Sequence, residues 1–154
     1  MIKRFQKEDA KELADVIART LRTTNSKDYT PEQIEACIDT LTAEKLIERA
    51  TWTHFYVVWD KTSIVGCGAI GPYWGKEDES SLFTIFVLPE YQGKGIGRQI
   101  IQTLEKDEFF LRAKRIEIPA SITAVEFYRK MGYDYKNGNN KIDEEHLYRL
   151  EKFR

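Results

Sequence analysis

Cysteine is scarce: Cys37 and Cys67 lie far apart, with neither a C-x-x-C pair nor metal-ligand spacing, so a disulfide scaffold is excluded, no metal site is expected, and two reduced structural thiols are. Charge of one sign is missing as well. Lys and Arg number 24 against 25 Asp and Glu, for a net charge of −1 and a pI near 6.2, which gives no electrostatic ground for nucleic acid or an anionic membrane as partner. No apolar run is long enough to span a bilayer. The start, Met1 to Asp9, leads into charge rather than into the apolar core of a signal peptide, and a cytoplasmic location is expected. Internal repeats and low-complexity segments are also absent. A chain of 154 residues without them reads as a single domain, 1–154, large enough to bury a core unaided.

What is present is concentrated between Ser81 and Lys106. Leu82 to Leu88 is an apolar, β-branched and aromatic run that stops at Pro89, which predicts a buried strand. Gly93, Gly95 and Gly97 crowd the turn that follows, and Ile96, Ile100, Ile101 and Leu104 recur at helical spacing. Strand, glycine turn and helix in that order leave the helix's first N–H groups unpartnered at the positive end of its dipole, and glycine lets a ligand approach them. Lys94 and Arg98 add charge suited to a diphosphate. Without a ligand, the same turn is only a tight connection. The P-loop spacing fails, since no Ser or Thr follows a Gly-Lys pair, and G-x-G-x-x-G fails, since the glycines fall at every second position. Glu117, on the next strand, stands where the ribose-binding acid of a dinucleotide fold would, and keeps that fold as an alternative.

Gln92-Gly93-Lys94-Gly95-Ile96-Gly97 resembles the acyl-CoA signature [QR]-x-x-G-x-[GA] of the GNAT superfamily of N-acetyltransferases, preceded by Val87, Pro89, Glu90 and Tyr91 as V-x-P-E-Y. Ala124, Phe127, Tyr128, Gly132 and Tyr133 match the later pattern A-x-x-F-Y-x-x-x-G-[FY] in the right order and separation. The rest of the chain agrees. A short strand at Ile2–Gln6 precedes a helical segment from Asp9 to Ala50, with Asp9 and Glu12 at capping-box spacing and Thr30, Pro31 and Gln33 as a second helix start. Strands follow at His54–Trp59 and Ser63–Ile70, then the central strand and helix, a strand at Arg115–Ile118, a helix at Thr123–Met131 and a strand at His146–Phe153. This order resembles the GNAT order end to end and implies an α/β (α+β) fold, a mixed, mostly antiparallel central sheet with helices on both faces.

The resemblance implies transfer of an acetyl group from acetyl-CoA to a primary amine, without a covalent enzyme intermediate. Gln92, Gly93, Lys94, Gly95, Gly97 and Arg98 would hold the diphosphate, and the strand edge at Ile85, Phe86 and Val87 would pair with the pantetheine amides. The central strand would splay from its parallel neighbour to receive the thioester. Tyr128 would present its hydroxyl to the sulfur, although as a residue it also reads as a core aromatic. Ser121 stands where relatives often carry Asn, able to contact the pantetheine or to cap the next helix. No evident general base follows: Glu79, Glu117 or His54 would act through a water, or the amine would bind neutral. Tyr29, Trp52, Tyr56, Tyr73 and Trp74 supply aromatic surface for the acceptor, a small-molecule amine, an amino-acid-like amine or a peptide. The alternation of Leu147, Tyr148, Leu150 and Phe153 suits a homodimer contact or an interior strand equally. A non-catalytic acyl-CoA or nucleotide-binding sensor module is the alternative function.

Overall fold

The computed structural model describes residues 1–154. β1 (Ile2–Arg4) leads to three helices, α1 (Ala10–Thr23), α2 (Pro31–Asp39) and α3 (Ala43–Arg49). A meander of β2 (His54–Asp60), β3 (Ser63–Pro72) and β4 (Glu79–Val87) follows, then α4 (Ile96–Leu104) and the single turn α5 (Glu108–Leu111). The chain closes with β5 (Arg115–Ser121), α6 (Val125–Lys130), β6 (Asp134–Tyr135) and β7 (Leu147–Phe153). The seven strands form one sheet in the order β1-β2-β3-β4-β5-β7-β6. Only the β4–β5 pair is parallel, so the mixed, mostly antiparallel sheet implied by the sequence is present.

Local chemistry sets most helix starts. At α2, Thr30 Oγ1 accepts from the Gln33 N–H at 3.1 Å while Gln33 Oε1 accepts from the Thr30 N–H at 2.9 Å, the expected reciprocal cap. The cap expected at Asp9 serves a different turn. Its carboxylate accepts from the Gln6 N–H at 2.8 Å, and Glu12 instead accepts from the Ile64 N–H of β3 at 2.8 Å, a tertiary bond that outcompetes the local one. α5, capped by Asp107, and the two-residue β6 are too short to leave a periodic signal, and α6 begins at Val125 rather than Thr123. β7 lies between β5 and β6 and buries Leu150 fully, which is the work of an interior strand, while Phe153 stays exposed.

β3 is buried from Ile64 to Gly71, as a strand covered on both faces must be. On one face α4 sits so close that a Cβ at Gly68 would stand 2.5 Å from Cγ2 of Ile100. α1 packs on the strand as well, and the helices and sheet share one cluster of 29 buried residues. Gly68→Ala is therefore expected to cost about 1–3 kcal/mol of stability through overpacking. Urea unfolding checks this, and an unchanged midpoint would mean that α4 can retreat freely.

The start of β4 is tied to its neighbours by charge. Arg115 on β5 bonds Glu79 at 2.8 Å and Glu151 at 2.7 Å and also pairs with Glu117, which Lys136 reaches at 2.9 Å. Burial works to raise the Glu79 carboxyl, but hydrogen bonds from Arg115 and Lys76 outweigh it and hold that carboxyl below its ordinary value. Asp143 behaves alike: burial is outweighed by Arg149 at 2.7 Å and by the Leu147 N–H. Both carboxyls ionise more readily folded than unfolded, so their stabilisation is complete above the unfolded-state value and is lost as pH falls through the folded one. The urea midpoint is expected to fall between about pH 5 and about pH 3, and the Glu79→Gln/Asp143→Asn variant to flatten that decline. Equal slopes would remove these two groups as its cause.

Candidate active site

β4 pairs with β5 only from Glu79 to Ser81, against Arg115 to Glu117. Beyond Ser81 the two strands part. Phe83 to Val87 are only part-buried although they run through the middle of a seven-stranded sheet. The cause is a bulge: Thr84 has φ +54°, and the register on β3 shifts between Cys67 and Ala69. A bulge bends and over-twists its strand, and here it swings the second half of β4 off β5. Ile85, Phe86 and Val87 lie in this half, where β5 offers the backbone no partner.

That edge runs into the glycine turn through the single 3₁₀ turn Pro89–Tyr91. Gly93 (φ +77°) and Gly95 (φ +84°) adopt left-handed backbone, with open space where a Cβ would stand. Gly95 caps α4, and no backbone N–H from Gly93 to Arg98 has an acceptor in the chain. The result is a row of free donors at the positive end of a helix. Gly97 has another reason: a Cβ there would stand 3.0 Å from the Phe127 ring. Lys94 and Arg98 are exposed and make no ion pair, and Lys94 Nζ lies 5.2 Å from the centre of the Tyr91 ring. Gln92 is bonded within the chain. Its amide donates to Thr24 Oγ1 at 3.1 Å and to the Val87 carbonyl at 3.0 Å, so both N–H groups are taken up in fastening the turn to α1 and β4.

Phe127 also fixes its neighbour. Its ring meets that of Tyr128 edge-on at 5.4 Å, and Tyr128 is buried. Burial pushes the phenol well above its ordinary value and Cys67 on β3 adds to it, yet no hydrogen bond in the chain engages the hydroxyl. Since no sealed polar side-chain atom lacks a partner, that hydroxyl is not completely sealed. Ser121 ends β5 and its Oγ accepts from the Ala124 N–H at 3.1 Å, shaping the turn into α6. Cys67 is buried with its thiol pushed up to about 12 by burial, and both cysteines are free.

The acids and histidine considered as bases are engaged elsewhere. Glu79 and Glu117 belong to the Arg115 cluster, and His54 Nδ1 lies 2.8 Å from Asp107, which also accepts from Tyr56 Oη at 2.6 Å. Glu117 is 2% exposed and held by three cations, which removes it as a ribose-binding acid and with it the ground for the dinucleotide alternative. Two sets of bonds left no signal in the sequence. Tyr29 Oη donates to the His146 carbonyl at 2.7 Å and accepts from the Ile122 N–H at 2.9 Å, joining the segment before α2 to the end of β5 and the start of β7. Arg49, at the end of α3, donates from Nη1 to Thr84 Oγ1 on the bulge at 2.7 Å. As one cation at a helix end it gave no signal, because its partner lies 35 residues away.

No helix is long and apolar enough to cross a membrane. The chain is 26% identical over 135 residues to the uncharacterised N-acetyltransferase YafP of Escherichia coli K12, covering 86% of this chain and 79% of that one. Its fold matches the PaiA N-acetyltransferase of Thermoplasma acidophilum, solved in complex with coenzyme A, with a TM-score of 0.83 at 20% identity, over 100% of this chain and 98% of that one. A GNAT family acetyltransferase from Brucella melitensis, solved with acetyl-CoA, matches with a TM-score of 0.66 at 19% identity, over 97% and 86% of the two chains. Residues 51–135, from the end of α3 through the splayed strand, glycine turn and Tyr128, match the model of the acetyltransferase (GNAT) domain, and the chain belongs to the GNAT acetyltransferase family.

Proposed function

We propose that the protein transfers the acetyl group of acetyl-CoA to a primary amine by direct attack within a ternary complex. The observation that carries this reading is the continuity of an unpaired strand edge with a row of unpartnered amides at the start of α4. The residues fit a phosphorylated thioester carrier: space is open at Gly93 and Gly95, and two unpaired cations flank the free donors. The amides of Gly93, Gly95, Gly97 and Arg98, with the side chains of Lys94 and Arg98, would hold the diphosphate. The backbone of Ile85, Phe86 and Val87 would pair with the pantetheine amides as an added strand does. Ser121 would flank the same gap from β5. Gln92 serves by holding the turn in shape.

When bound, the thioester supplies the acetyl group and a sulfur leaving group. Tyr128 stays protonated through the neutral range because burial raises its phenol, and so acts as a donor to the sulfur as negative charge gathers there. The nitrogen–carbon bond forms, the carbon–sulfur bond breaks, and the proton the amine gives up ends on sulfur. With Glu79 and Glu117 engaged in ion pairs and His54 hydrogen-bonded to Asp107, the amine enters neutral or passes its proton to water.

Acetyl-CoA is expected to bind in calorimetry, and the Lys94→Glu/Arg98→Glu variant to weaken binding at least about tenfold, because the diphosphate then meets two anions in place of two cations. Unaltered affinity in the variant would place the diphosphate elsewhere. Tyr128→Phe is expected to lower kcat by about 10²-fold in a thiol-release assay while acetyl-CoA affinity holds. A protein that binds acetyl-CoA tightly but releases no thiol with any amine would favour the sensor module instead.

A further inference from the structure

The arginines that are partly buried in this fold are paired, with one exception. Arg115 bonds Glu79 and Glu151 and pairs with Glu117, and Arg149 pairs with Asp143 at 2.7 Å and Glu145 at 3.0 Å. Arg49 has no carboxylate within ion-pair distance, although it is half-buried, in the neighbourhood of Cys37 on α2 and Cys67 on β3. Its neighbour Glu48 is exposed and favours the cation from a distance, without forming an ion pair with it. Burial lowers the guanidinium below its ordinary value and outweighs Cys37, Cys67 and Glu48, which act to raise it. Its one side-chain bond runs from Nη1 to Thr84 Oγ1 at 2.7 Å. Nε and Nη2 are left without protein partners and, since no sealed side-chain nitrogen lacks one, open to solvent.

Two features give this a direction. The bond donated to Thr84 occupies Nη1 and leaves Nε–H and Nη2–H, the edge of a guanidinium that forks onto a carboxylate in a two-point contact. Thr84 is the bulge residue itself, just past Ser81, the last β4 residue paired with β5, so Arg49 is anchored where the strands part.

We propose that Arg49 reads a carboxylate on the acceptor, so that the amine acetylated by this protein is carried on an amino carboxylate rather than on a polyamine or a neutral amine. This rests on the acetyltransferase reading and narrows it. The bulge does two jobs in this account: it opens the gap in the sheet, and its threonine hydroxyl holds the arginine in register with that gap. A simple amine would leave the guanidinium unpaired beside it, and a polycation would be repelled.

The test compares the standard α-amino acids with their α-carboxamides as acceptors, using acetyl-CoA and thiol release, in wild type, Arg49→Met, Arg49→Lys and Thr84→Val. Urea midpoints and acetyl-CoA calorimetry are run on each variant. Expected are at least one amino acid preferred over its amide by about 10²-fold or more in kcat/KM, and loss of that preference in Arg49→Met through KM, with acetyl-CoA affinity unchanged. Arg49→Lys should recover part of the preference, and Thr84→Val should weaken it while keeping the charge, so the proposal stays falsifiable even where Arg49→Met folds poorly. Amides or carboxylate-free amines used as well as the amino acids, a preference that survives Arg49→Met, or no amino carboxylate acetylated by protein that binds acetyl-CoA would each overturn the proposal. Failure of the wild type to bind acetyl-CoA would instead overturn the acetyltransferase reading, and this one with it.

Discussion

The bulge at Thr84 is the constraint on which the rest of this structure turns. A central strand in a sheet ordinarily has both edges paired, because an unpaired backbone group away from water costs about as much as a lost hydrogen bond. β4 breaks that rule beyond Ser81. The departure is held in place from both ends: the Arg115 cluster clamps the start of β4 to β5 and β7, and the side chain of Gln92 fastens its far end to α1. Between these anchors the strand has nowhere to go but away from β5.

Charge is distributed to suit this division. Below the parting point the cations are neutralised, with Glu117 buried among Arg115, Lys136 and Arg149. Beside the parted strand and the turn they are not: Lys94, Arg98 and Arg49 have no acidic partner. Cations without counter-ions next to free amides form a region of positive potential in a chain whose net charge is only −1. The overall balance, which gave no ground for an anionic partner, therefore hides a local bias.

Much of the frame was legible in advance because its signals are local. The capping box at Thr30, the run from Leu82 to Leu88 and the spacing of Ile96, Ile100 and Leu104 each predict an element from neighbours within one or two turns. Where tertiary partners compete, that reading fails. Glu12 has the spacing of a cap residue and bonds β3 instead. His54, one of the groups considered as a base, is held by Asp107, the cap of a helix too short for periodicity to reveal.

The sequence by itself determined the strand–turn–helix unit, because positive φ at Gly93 and Gly95 and the one-sided apolar face of α4 are properties of adjacent residues. It also carried enough of two motifs to indicate the family. Only the tertiary structure decided that Gly97 answers to Phe127, that Glu117 is sealed among cations, and that Arg49 meets Thr84. These pairings join residues far apart in the chain, and a contact of that kind leaves no pattern in either partner's neighbours. It exists once the sheet and its covering helices have brought the two side chains to the same place.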